Sequence, residues 1–136
     1  PTAGSLPDAE CSHCHASPLF MSQDFINNAL QIADANLDYP DQGRYLVSGI
    51  PADRGKFRVP TLRNIALTAP YMHNGSLETL EEVMDHYASG GHPTANTDPL
   101  LRDIDLTETQ KNQVIAFLHT LTDTTLINRT DLQPIE

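Results

Sequence analysis

Both cysteines of the chain lie in one short stretch, ECSHCHAS, residues 10 to 17. Cys11 and Cys14 are separated by two residues, and His15 follows directly. Thiols and an imidazole at this spacing could form a disulfide, a redox-active dithiol, half of a zinc site or an anchor for haem. Each alternative makes a different demand on the rest of the chain.

The first three alternatives find little support in the surrounding sequence. A disulfide across two residues is strained and closes a very small loop, so it would add little stability. A thioredoxin-like dithiol follows a strand in a βαβ pattern, and no such pattern surrounds the motif. A structural zinc site needs a second pair of ligands, and there is no second cysteine pair. The remaining histidines form no close second pair either: His73, His86, His92 and His119.

The order C-x-x-C-H is the attachment signature of c-type haem. Two thioether bonds from one helical turn hold the porphyrin, and the adjacent histidine becomes the proximal ligand of the iron. We therefore predict one covalent haem c, bound by Cys11 and Cys14 and ligated by His15. His13, inside the motif, is predicted to be an exposed spacer. Bacteria attach haem c outside the cytoplasmic membrane, so a periplasmic or extracellular location is expected.

Composition is consistent with one small domain built around a cofactor. The 136 residues are 39% hydrophobic, lack tryptophan and include ten prolines, so a large apolar group would help to complete the core. A net charge of −10 argues against nucleic acid. It favours a basic protein or a cationic ligand as partner, and the alternative is that the charge serves solubility alone. No apolar run approaches the length of a membrane span. No signal peptide starts the chain, so we expect a removed leader or a piece of a longer chain.

Half of the eight basic residues fall within ten positions. They are Arg54, Lys56, Arg58 and Arg63. In an acidic protein this clustering favours a local anion, and the haem propionates would qualify; a solvated loop is the alternative.

The elements that position the motif are predicted to be helices and loops. Residues 5 to 17 predict a short helix with Pro7 in its first turn and the haem motif in its last. Residues 18 to 50 predict loop with short extended pieces. A second short helix is predicted over residues 60 to 67, beginning at Pro60, before the loop TAPYMHNGS.

Two amphipathic helices are predicted after that loop. Thr79 with Glu82 is a capping box, and the apolar face that follows contains Leu80, Val83, Met84 and Tyr87. Residues 89 to 91 end this helix. Thr107 with Gln110 is a second capping box, and its helix is predicted to bury Val114, Phe117, Leu118 and Leu121. Residues 123 to 136 are predicted to be a loosely held tail.

These elements predict an all-α protein, a small c-type cytochrome fold with a loop-rich middle and helices wrapped around one covalent haem. The domain is predicted to extend over residues 1 to 136.

Residues 53 to 91 read DRGKFRVPTLRNIALTAPYMHNGSLETLEEVMDHYASGG. This segment resembles the C-terminal haem domain of bacterial di-haem cytochrome c peroxidases, and within them the MauG-type branch most closely. CSHCHASPLF and LTETQKNQVIAFLHTLTD are similar to that family too. The resemblance therefore covers nearly the whole chain.

The resemblance implies a division of labour between two haem domains. In the family, peroxide reacts at the N-terminal haem, and the six-coordinate C-terminal haem delivers electrons. This chain has one C-x-x-C-H, and it matches the C-terminal half, so a second haem domain or a redox protein is the implied partner. The family's calcium ion is held partly by carbonyls that correspond to Thr68 and Pro70. It also needs groups from the other half, so calcium is expected to bind weakly here.

A histidine-ligated haem leaves one axial position on the iron. The chemically possible ligands are Met21, Met72, Met84, His73, His86, His92, His119 and Tyr87. A thioether would raise the reduction potential, whereas a phenolate would stabilise ferric iron and lower it. The resemblance implies Tyr87, because MauG-type members have tyrosine at this position and peroxidases have methionine. Two alternatives stay open: a tyrosine that only packs near haem, and Met72 as the ligand.

His73 belongs to the same family signature. It could form a hydrogen bond near the haem edge, or it could be an ordinary loop histidine.

Three functions are compatible with these residues. The first is electron transfer, because iron with two fixed axial ligands, His15 and Tyr87, has no open site for a substrate. The second is peroxidase activity on hydrogen peroxide at an open or labile iron, which would also need a distal acid–base group. The third is a structural or sensing haem module of a larger assembly. We expect electron transfer, and no enzyme activity from this chain alone.

Overall fold

A computed structural model describes residues 10–125, 128, 129 and 131 of the chain. Four α-helices and two strands organise this part. In chain order they are α1 (Cys11–Cys14), β1 (Phe25–Ile26), α2 (Tyr45–Ser48), β2 (Phe57–Arg58), α3 (Leu80–Ser89) and α4 (Glu108–Thr120). Short 3₁₀ helices lie at Pro51–Asp53 and Ile65–Leu67.

The prediction of an all-α fold is wrong. β1 and β2 form an antiparallel sheet in which Phe25 pairs with Arg58 and Ile26 with Phe57, and helix accounts for only 32% of the structure. Strands of two residues are too short to show the alternation by which strands are recognised, and the partners lie far apart in sequence. The sheet joins the segment after the haem motif to the segment before the loop TAPYMHNGS.

The two predicted short helices differ from expectation in extent. Around the haem motif, α1 covers only Cys11–Cys14, and residues 1 to 9 lie outside the described part. Over residues 60 to 67, only Ile65–Leu67 is helical. The predicted tail lies largely outside the described residues.

Helix α3 confirms the first capping box. The Thr79 side chain accepts a hydrogen bond from the Glu82 amide at 3.2 Å, and the Glu82 carboxylate accepts one from the Thr79 amide at 3.1 Å. Both donors belong to a helix start, where amides have no partner within the helix. Leu80, Val83 and Met84 are buried, as predicted. The cap thus fixes where the helix begins and which face it buries.

Gly90 ends α3 in a conformation and a space that only glycine satisfies. Its φ is +72°, and a Cβ there would lie 2.7 Å from the Asp103 nitrogen and 2.8 Å from the Arg102 carbonyl carbon. We expect Gly90→Ala to lower the free energy of unfolding by more than about 2 kcal/mol, because a left-handed conformation alone costs about 1–2 kcal/mol. Urea denaturation measures the loss.

Gly49 provides the matched control for this prediction. Its φ is +65°, but a Cβ there would have no heavy atom within 4 Å. Gly49→Ala should therefore cost only the conformational part, about 1–2 kcal/mol. Equal losses at the two positions would contradict a role for the backbone contact at Gly90.

Helix α4 confirms the second capping box but corrects its buried face. Thr107 and Gln110 exchange both bonds of the box. Ile115 and Leu118 are the buried residues of the helix, whereas Phe117 is 47% exposed and meets the ring of Phe20 edge-on at 5.7 Å. The prediction that Phe117 is buried is wrong. The helical period shows that one face of α4 is apolar, but it does not tell which of the adjacent apolar positions on that face pack against α3.

The apolar core is small for a chain of this length. Its buried hydrophobic residues among those described are Ala29, Tyr39, Val59, Leu80, Val83, Met84, Leu106, Ile115 and Leu118. One cluster joins α3 to α4 through Leu80, Met84 and Ile115. Such a core agrees with the expectation that a large apolar group completes the packing. No helix in the described part has the length and apolar character to cross a membrane.

Candidate haem-binding site

The two cysteines are free thiols on the single turn of α1. Burial raises the pKa of Cys14, and the negative charges of Asp98, Cys11 and Asp24 raise it further. Reactive or redox-active cysteines need the opposite, a lowered pKa that yields thiolate at neutral pH. The environment of the pair therefore argues against a thioredoxin-like dithiol.

His15 directly follows α1 and is held in one orientation. Its Nδ1 lies 3.0 Å from the Phe20 carbonyl oxygen, which can only accept, so Nδ1 carries the ring proton and the neutral ring has its lone pair on Nε2. Burial lowers the pKa of His15, although hydrogen bonds to the carbonyls of Phe20 and Pro60 oppose this effect. A neutral imidazole with one nitrogen fixed by a carbonyl and the other free is the form that ligates metals.

Tyr87 lies in the last turns of α3 and is half-buried. Burial raises its pKa, a hydrogen bond from Asn28 opposes this, and the charges of Cys14 and Cys11 raise it again. The phenol therefore lies near the cysteine motif. It stays protonated at neutral pH unless a cation lies against it, and ferric iron would supply that charge.

The methionines occupy three different environments. Met84 is 6% exposed in the cluster between α3 and α4, so it is a core residue. Met21 is half-buried in the segment after the haem motif. Met72 is half-buried with its Sδ 3.4 Å from the Asn28 Nδ2, so it and Tyr87 contact the same amide.

The histidines considered as distal ligands have other contacts or are exposed. His86 Nε2 lies 2.9 Å from the Asn28 carbonyl oxygen. The His73 ring stacks on Phe57 at 3.6 Å between centroids. His92 and His119 are exposed, and so is His13, which lies 3.0 Å from the Glu10 carboxylate.

The predicted anion-binding cluster is partly neutralised by acidic neighbours. Arg54 lies 3.4 Å from Asp38, and Lys56 lies 3.9 Å from Asp53. Arg58 and Arg63 are exposed. The prediction of propionate contacts therefore rests mainly on these two residues.

Sequence reasoning missed a polar network directly after β1. Asn27, only 3% exposed, donates to the Tyr39 hydroxyl at 2.9 Å, and that hydroxyl lies 2.6 Å from the Thr94 Oγ1. Asn28, the next residue, contacts both Met72 and Tyr87. The sequence offered one signal for this network, the pair Asn27-Asn28 directly after the apolar residues Phe25 and Ile26. Two consecutive asparagines are equally typical of a turn.

The donor set fits haem c better than a protein-bound metal ion. Two free thiols on one turn, a histidine whose Nδ1 is held by a carbonyl, and a half-buried tyrosine are groups that could attach and ligate a haem. Within the described residues, no group of three or more His, Cys, Asp or Glu side chains is placed to hold a metal ion. Thr68 and Pro70, named for calcium, are exposed, and calcium there stays a prediction.

Comparison with known proteins gives a consistent relationship, although no family model matches the chain. The chain is 45% identical over 87 residues to the cytochrome-c peroxidase IdrP1 of Pseudomonas sp. (strain SCT). This alignment covers 64% of the chain and 22% of IdrP1. The chain is also 32% identical over 113 residues to the methylamine utilization protein MauG of Methylorubrum extorquens. That alignment covers 83% of the chain and 31% of MauG.

A solved structure agrees with both. The crystal structure of a MauG-like protein associated with microbial copper homeostasis superposes with a TM-score of 0.84 at 41% identity, over 93% of this chain and 43% of that one. The chain thus spans less than half the length of these relatives. It belongs to the bacterial superfamily of di-haem cytochrome c peroxidases and MauG-type proteins.

Proposed function

We propose that this chain is an electron-transfer domain, a c-type cytochrome domain with one haem c bonded to Cys11 and Cys14. His15 and Tyr87 would ligate its iron. The domain extends over the 136 residues and is equivalent to the C-terminal haem domain of its longer relatives. When bound, haem c supplies a reversible one-electron centre.

The observation that carries the proposal is the placement of Tyr87. Its half-buried phenol interacts electrostatically with Cys14 and Cys11, which raise its pKa in addition to the larger effect of burial. His15, on the other hand, has its ring orientation fixed by the contact of its Nδ1 with the Phe20 carbonyl. With both residues as ligands, the iron has no position for a substrate, which favours electron exchange over chemistry at the metal.

The surface around the motif supports exchange with a protein partner. Cys11, Ser12 and His13 are exposed, so the attached edge of the porphyrin would lie close to the surface. Asp98 and Asp24 place negative charge near Cys14, and a basic partner face would be attracted to it. That partner is a redox protein or a second haem domain, in the periplasm of a bacterium.

Peroxidase activity at this haem would need a distal acid–base group, and the two histidines considered for that role have contacts of their own. His86 directs Nε2 at the Asn28 carbonyl. His73 is stacked on Phe57, and burial lowers its pKa. The first contact occupies one ring nitrogen of His86, and the second fixes the plane of the His73 ring against Phe57.

Optical titration of the oxidised holoprotein with cyanide and with hydrogen peroxide tests the proposal. We expect no spectral change with either reagent, because both axial positions are filled. Tyr87→Phe is the positive control, and it should either bind cyanide at an open iron or show the changed spectrum of a re-ligated haem. Rapid cyanide binding by the unaltered protein, followed by a peroxide-generated high-valent species, would instead show a peroxidase.

A further inference from the structure

The loop TAPYMHNGS contains the dipeptide Asn74-Gly75, which is the only Asn-Gly pair in the chain. An asparagine side chain reacts most readily with its own backbone when glycine follows, because glycine has no Cβ to obstruct the approach to its nitrogen. The sequence therefore favours this pair, above every other asparagine of the chain, for such a reaction.

The pair is accessible to solvent and lies in a closed loop. Asn74 and Ser76 are exposed, and Gly75 is partly exposed, so water and base can reach the reacting atoms. The Tyr71 amide donates to the Leu77 carbonyl at 2.7 Å, which joins the two ends of the loop. A loop closed in this way restricts the pair to few arrangements, and a reaction between neighbouring groups benefits when the productive one is among them.

The backbone contacts of the pair favour attack of the Gly75 nitrogen on the Asn74 side chain. The Ser76 amide donates to the Asn74 Oδ1 at 3.1 Å, so the side chain is folded back over its own backbone. The same donor would stabilise the negative charge that develops on Oδ1 when Cγ is attacked. The Gly75 amide donates to the Met72 carbonyl at 3.3 Å, which is longer than usual, so the attacking nitrogen is held only weakly.

We propose that Asn74 is a self-modification site at which the folded protein deamidates. The Gly75 nitrogen gives its proton to solvent base and forms a bond to the Asn74 Cγ, and the side-chain nitrogen leaves as ammonia. Water then opens the resulting succinimide at either of its carbonyls, which produces aspartate or isoaspartate. The reaction needs water alone as co-reactant and does not depend on how the haem iron is ligated.

The product differs from asparagine in charge and, in one form, in backbone length. Either product adds a negative charge to a chain whose net charge is −10. Isoaspartate also inserts a carbon atom into the backbone of a loop whose ends are joined, and this loop carries His73, whose ring stacks on Phe57 at 3.6 Å. Because the loss of ammonia is irreversible, the modified fraction increases with the age of the folded protein.

Incubation of the holoprotein at neutral and at mildly alkaline pH tests the inference, with ion-exchange chromatography and peptide mass mapping that detects isoaspartate. We expect an acidic form to accumulate through conversion of Asn74, faster at the higher pH because base removes the Gly75 proton. Asn36 is the internal control, since it is also exposed but precedes the bulky Leu37, and it should keep its amide. An Asn74 amide that persists as long as that of Asn36 would overturn the inference.

Variants of the loop separate the reacting group from the donor that assists it. Asn74→Gln keeps an amide but would need a larger ring, so the acidic form should not appear over the same period. Ser76→Pro has no backbone N–H and should slow the conversion by about 2- to 10-fold, the rate equivalent of one hydrogen bond. Ser76→Ala keeps the N–H and should react like the unaltered protein. Equal rates in Ser76→Pro and Ser76→Ala would contradict the assistance by the Ser76 amide.

Discussion

Replacing Tyr87 by phenylalanine is expected to change the ferric spectrum from that of a phenolate-ligated haem to that of an open or re-ligated one. The substitution removes the oxygen and little else, since that hydroxyl has a long contact of 3.5 Å with Asn28. Its loss should cost no more than about 1 kcal/mol of stability. The effect is therefore expected at the iron and not in the fold.

The midpoint potential should rise together with the spectral change. An anionic phenolate stabilises ferric iron, and losing it favours the ferrous state. We expect a rise on the order of 100 mV or more, a fraction of the roughly 0.8 V over which axial ligands set haem potentials. Potentiometric titration of the two holoproteins measures it.

Tyr71→Phe is the matched control. Tyr71 is also a half-buried tyrosine whose pKa is raised by burial and then by the charge of Glu81, but it packs against the cluster between α3 and α4. Its replacement should leave spectrum and potential unchanged. If Tyr87→Phe behaves like Tyr71→Phe, Tyr87 is a packing residue and the assignment of the distal ligand fails.

Replacing both Cys11 and Cys14 by serine is expected to prevent covalent haem attachment and to destabilise the protein severely. The buried apolar cluster between α3 and α4 consists of five residues, Leu80, Met84, Leu106, Ile115 and Leu118. Deleting one large buried aromatic side chain costs about 3–5 kcal/mol, and a haem is several times larger. The loss of unfolding free energy should therefore exceed about 5 kcal/mol.

Thermal unfolding followed by circular dichroism measures this loss, and the haem stain of a denaturing gel measures covalent attachment. The control is Ser12→Ala, which alters the same turn at an exposed position and keeps both thiols. It should retain the haem and the melting temperature. A cysteine-free protein that melts as cooperatively as the holoprotein would show that the haem is not part of the core.

The starts of α3 and α4 could be predicted because their determinants are local. Each capping box joins residues three positions apart, Thr79 with Glu82 and Thr107 with Gln110, so the physical interaction is contained in a few consecutive letters. The same holds for the cysteine motif, whose three functional groups lie within five positions. Family membership was recognisable for a related reason, since most of the resemblance lies in one continuous segment, residues 53 to 91.

Contacts between distant segments could not be predicted in this way. The pairing of β1 with β2, the exposure of Phe117 and the two contacts of Asn28 each depend on how segments separated by many residues meet. A strand of two residues has too few side chains to reveal its partner. The Asn28 amide contacts Met72, 44 residues away, and Tyr87, 59 residues away, and no local preference of the backbone encodes such separations. They arise only when α3 packs and brings its inner face to the loop after β1.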